Sequence, residues 1–70
     1  MNPITNIEEL KKVADDVQIV SDGSYGYIVA LLSNVEANEV IEAITPIKFK
    51  AVRDDLIVSE PVEGGIPDWI

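Results

Sequence analysis

The stretch VQIVSDGSYGYIVALL, residues 17–32, decides the fold. Val17 to Ser21 is a short run rich in β-branched residues, Asp22-Gly23-Ser24 supplies turn chemistry, and Tyr25 to Leu32 returns as a second run. Glycine reaches positive φ without steric cost, so this turn between two such runs predicts a β-hairpin. The returning run is apolar at successive positions rather than alternate ones, the pattern of an interior strand covered on both sides. Gly26 within it marks an expected bulge or a close backbone approach.

Upstream, Thr5 and Glu8 have the spacing of a capping box, and Ile7, Leu10, Val13, Ala14 and Val17 follow at three- and four-residue intervals. That pattern predicts a helix from about Asn6 to Asp16. Its outer face would pair Glu8 with Lys12, Lys11 with Asp15 and Lys12 with Asp16, each pair contributing only ~0.2–0.5 kcal/mol. Downstream, Ser33 and Glu36 repeat the capping spacing, and Ala37, Val40, Ile41 and Ile44 form an apolar stripe, which predicts a second helix from about Asn34 to Ile44. Thr45-Pro46 stops it, because a residue preceding proline is disfavoured in the α conformation.

Ile47, Phe49 and Ala51 then alternate with Lys48 and Lys50, as in a strand with one wet face. Arg53-Asp54-Asp55 makes a polar turn, and Leu56 to Ser59 is the fourth strand. The order α-β-β-α-β-β predicts a small single α+β domain: a four-stranded, mostly antiparallel sheet with two helices packed on it. Residues 1–61 are expected to form the compact domain. Pro61 ends the last strand, and residues 62–70 read as a tail containing Gly64-Gly65 and Pro67.

Composition narrows the function. A chain of 70 residues buries only ~60% of the surface its unfolded form exposes, which leaves little volume for a catalytic pocket. There is no cysteine and no histidine, so neither a disulfide framework nor a structural zinc site is expected, and no cofactor is implied. Phosphate loops, dinucleotide fingerprints and nucleophile elbows are absent from the sequence. The expectation is a protein that is not an enzyme and has no catalytic residues.

Thirteen acids against 5 bases give a net charge of −8, which disfavours direct nucleic-acid binding and anionic membrane surfaces. It favours a protein partner with a basic surface. No run approaches the ~20 apolar residues of a membrane-spanning helix, and Met1 is followed by no basic leader, so a cytoplasmic location is expected.

The acidity is segregated. From Val13 to Ile47 the chain carries Asp15, Asp16, Asp22, Glu36, Glu39 and Glu42 and no lysine or arginine. On the second helix Glu36, Glu39 and Glu42 fall three apart with Asn38 beside them, while the apolar stripe faces inward. Their axial spacing of ~4.5 Å, which flexible side chains can widen toward an interphosphate distance, suggests a decoy for a nucleic-acid-binding groove. Small acidic single domains of phages and mobile elements often act as inhibitors or adaptors on a protein partner, an analogy of size and charge alone.

Trp69, the single tryptophan, is a second candidate partner contact, since tryptophan is a favoured interface anchor. Asp15-Asp16 and Asp54-Asp55 read as surface and turn residues, and Asp22-Gly23-Ser24 lacks the later ligands of a calcium loop. The leading expectation is therefore a non-enzymatic acidic protein-binding module, an inhibitor or decoy that uses Glu36, Glu39, Glu42, Asn38 and Trp69. The alternative is a structural subunit in which the two-sided apolar strand and the tail build a homo-oligomer. Lys48, Lys50 and Arg53 form a basic cluster on the wet face of the third strand, which either discourages edge pairing or meets the acidic helix of another copy.

Overall fold

A computed structural model describes residues 1–63 of the chain. The order is α1 (Ile7–Val13), β1 (Asp16–Ser21), β2 (Tyr25–Leu31), α2 (Ala37–Ala43), β3 (Phe49–Arg53), β4 (Leu56–Ser59) and β5 (Val62–Glu63). The α+β class, the two helices and the antiparallel sheet follow the sequence expectation, and β5 is an added element. Trp69 and residues 64–70 of the expected tail lie outside the described residues.

The hairpin forms as its turn residues require. β1 pairs with β2 in continuous register from Asp16↔Leu31 to Ser21↔Gly26. At the turn, the Asp22 carboxylate Oδ1 accepts from the Ser24 and Tyr25 amides at 2.9 and 2.8 Å. Gly23 takes a φ of +93°, a conformation that side chains with a Cβ rarely adopt. Gly26, by contrast, sits in the regular ladder, and the bulge expected there does not occur. One irregularity lies instead between Ala51 and Arg53, where Val52 is the extra residue of β3 opposite β4.

The main sheet order is β1-β2-β4-β3, and β5 pairs with β2 beyond the end of β4. Between β4 and β5 the pairing with β2 slips by one residue across Glu60 and Pro61. Proline has no N–H to contribute to a ladder, so the strand is interrupted at Pro61 and resumes at Val62. At the slip the Ile28 amide donates to the buried Ser59 hydroxyl at 2.7 Å. A side chain thus replaces a backbone acceptor where the ladder is broken.

Both helices lie on one face. Ile7 and Leu10 of α1 and Ala37 and Val40 of α2 join Ile28, Ala30, Ile57 and Phe49 of the sheet in a single buried cluster. Ile4 closes the layer: its amide donates to the Ala43 carbonyl at 2.8 Å, and its carbonyl accepts from the Thr45 amide at 3.0 Å. Among the described residues no helix lies over the opposite face of β2, which corrects the expectation of a strand covered on both sides. Tyr25 and Leu31 there are 50% and 38% exposed.

Each helix is shorter than its apolar period implies. α1 is capped by Asn6, whose Oδ1 accepts from the Glu9 amide at 2.9 Å, in place of the expected Thr5–Glu8 box. It ends at Val13, so Asp15 and Asp16 leave the helix and the expected i,i+4 pairs give way to a single Lys12–Glu9 ion pair of 3.3 Å. α2 starts at Ala37, with Glu36 as an N-cap in extended conformation that makes no side-chain capping bond.

Candidate functional site

Burial of Ala37, Val40 and Ile44 orients α2 and turns Glu39 and Glu42 outward, one turn apart and exposed. Glu39 in the first turn also complements the partial positive charge of the helix N-terminus. No lysine or arginine lies within the helix, and among the described residues the ion pairs are Lys12–Glu9 and Arg53–Asp55, neither of which involves α2. The acidic face is therefore not neutralised locally.

Glu36 departs from the regular spacing. As the extended N-cap it stands outside the helical repeat, so the ~4.5 Å rise holds for Glu39 and Glu42 and not for all three carboxylates. Glu36 and Asn38 instead line a concavity of about 510 Å³ between the start of α2 and the edge strand β3. Ala37, Ala51 and Val52 form its apolar lining, and Asp54 stands at the β3–β4 turn. Arg53 also borders it, with Nε donating to Asp55 Oδ1 at 3.1 Å.

The predicted residues therefore separate into two adjoining parts. Glu39 and Glu42 make an outward acidic ridge, and Glu36 and Asn38 edge an acidic groove. Val52 and Asp54 were not among the candidates from sequence. Val52 reaches the surface, 56% exposed, through a bulge that no turn residue announces. Chemically the groove suits a long basic side chain, whose aliphatic stem would lie on Ala51 and Val52 while its charged head meets Glu36 and Asp54.

A second, apolar hollow of about 400 Å³ lies on the helix-free face, lined by Val20, Asp22, Tyr25, Tyr27 and Pro61. The two tyrosines share that face, as their spacing in the strand implies. The Asp22 carboxyl is held below its usual range by the Tyr25 amide first and the Ser24 amide second, which makes it a turn-stabilising group. Among the described residues, no group of three or more acids is placed to hold a metal ion. No helix among them is long and apolar enough to cross a membrane.

No protein family, curated protein or solved structure matches the chain.

Proposed function

We propose that this chain is a non-enzymatic, cytoplasmic protein-binding module that engages a basic protein surface in the manner of an inhibitor or decoy. The observation that carries the reading is the juxtaposition of the unneutralised Glu39/Glu42 ridge with the groove edged by Glu36, Asn38 and Asp54. A ridge supplies long-range attraction, and a groove with an apolar lining supplies a place for a lysine or arginine to be held. The net charge of −8 adds a field that steers basic partners and repels nucleic acid.

The test is affinity capture from a native lysate with the full chain as bait, followed by mass spectrometry. Glu36→Lys, Glu39→Lys and Glu42→Lys together should abolish capture of basic partners while leaving the far-UV circular dichroism unchanged. Capture by the parent chain should also weaken as salt rises through ~0.1 M, where the screening length is ~10 Å. A charge-reversed protein that stays folded and captures the same partners refutes the proposal.

A further inference from the structure

The helix-free face of the sheet has a charge pattern as well as an apolar one. Ile28, Ala30, Ile57 and Phe49 point into the core, so their strand neighbours point to the opposite face. Val20, Tyr27, Val29, Leu31, Leu56 and Val58 therefore form a continuous apolar centre across β1, β2 and β4, half-buried or exposed. The two edges of that face differ in sign. On β1 it carries Asp16 and Gln18, which are hydrogen-bonded to each other at 3.2 Å. On β3 it carries Lys50, paired with Val58, and Arg53, paired with Leu56 at the edge that also borders the α2 groove, where its Nε donates to Asp55 of the same chain at 3.1 Å.

We propose that two copies of the chain pack these faces together as a β-sandwich with helices outside, related by a two-fold axis parallel to the strands. Such an axis lays β1 of one copy over β3 of the other and keeps each cross-strand row at its own height. Asp16, Leu31, Leu56 and Arg53 form one row, and Gln18, Val29, Val58 and Lys50 form the next. Asp16 of each copy then faces Arg53 of its mate, and Gln18 faces Lys50, twice per dimer. The other in-plane axis, perpendicular to the strands, puts β1 over β1 and β3 over β3, so that like charges meet. The charge pattern thus selects one isologous arrangement, compatible with the aligned packing of ordinary sandwiches.

Size sets the strength. Four strands ~4.8 Å apart and up to seven residues long at ~3.3 Å each give a face of roughly 19 by 23 Å. At most about 900 Å² is then covered over both copies, below the ~1,200 Å² at which stable interfaces begin. The dimer is weak and concentration-dependent.

Sedimentation equilibrium of the full chain tests this, with circular dichroism as the check on folding. The parent chain should shift from monomer to dimer with rising concentration. Leu31→Lys, at a partly exposed position, should remain folded and monomeric. Asp16→Lys or Arg53→Asp alone should weaken dimerisation on the order of tenfold, since each change creates two repulsive contacts at the rim. The double variant Asp16→Lys/Arg53→Asp should recover most of that loss. These two residues lie on opposite edges of one sheet, so recovery within a single copy is excluded. A chain that stays monomeric at millimolar concentration overturns the proposal, whether residues 64–70 or another protein cover the face. A dimer indifferent to Leu31→Lys, or a double variant with no recovery, also overturns it.

Discussion

Replacing Ser59 by alanine tests the account of how β4 passes into β5. Ser59 is 1% exposed, and its hydroxyl accepts from the fully buried Ile28 amide at 2.7 Å. Alanine removes that acceptor and leaves a buried N–H unpaired, at a cost of ~1–3 kcal/mol. A domain of 70 residues holds roughly 4–10 kcal/mol in total, at ~0.05–0.15 kcal/mol per residue. A loss of 2 kcal/mol would therefore lower Tm by about 8–16 °C. In urea the midpoint should fall with the m-value unchanged, because the change alters one bond and not the surface exposed on unfolding. The chain is short enough for chemical synthesis, which allows a cycle with the Tyr27–Ile28 amide replaced by an ester. The ester removes the donor itself, so with alanine at position 59 it no longer strands anything. The two changes should couple by on the order of 1 kcal/mol, and the weakened ester carbonyl cancels within the cycle. A loss below ~0.5 kcal/mol for Ser59→Ala, or strict additivity with the ester, would refute the assignment.

Two further predictions concern the local caps. The Asp22 carboxyl is held below its usual value of 3.8 by the Tyr25 and Ser24 amides, so its contribution to the turn is complete above that value. It is lost as pH falls through the lowered folded value, and Asp22→Asn should flatten this acidic limb in pH-dependent thermal melts. Asn6→Ala removes the acceptor for the Glu9 amide at the start of α1 and should cost ~1 kcal/mol, read as a lower urea midpoint. An unchanged midpoint would show that α1 does not depend on this cap.

The hairpin was legible because its signal is local: only a turn with glycine at positive φ fits between the two runs, and Gly23 takes that conformation. The helix ends were not, because neighbouring residues compete for one task. Thr5 and Asn6 both offer a capping oxygen, and the apolar period that continues through Val17 is shared with the β-branched run that takes Asp16 into β1. Ser33 and Glu36 have a capping spacing, but Val35 packs against the core and the helix begins after it. β5 was hidden for a different reason. Proline breaks a ladder, and sequence does not show that pairing resumes one residue later.

The open face of β2 was the least legible feature. A strand of consecutive apolar residues reads the same whether its second face meets a helix of its own chain or another molecule. The acidic ridge of α2 and the apolar sheet face lie in opposite layers, so using one leaves the other free, and Arg53 at the β3 edge is the residue common to the groove and the sheet face. In the proposed dimer the layers run helix, sheet, sheet, helix, and each copy keeps its ridge and groove outside. Two acidic sites then move as one body, and a partner with repeated basic sites would be held by avidity without any new contact. Leu31→Lys should remove that gain while sparing single-site binding, whereas reversal of the α2 glutamates should remove single-site binding and spare the dimer.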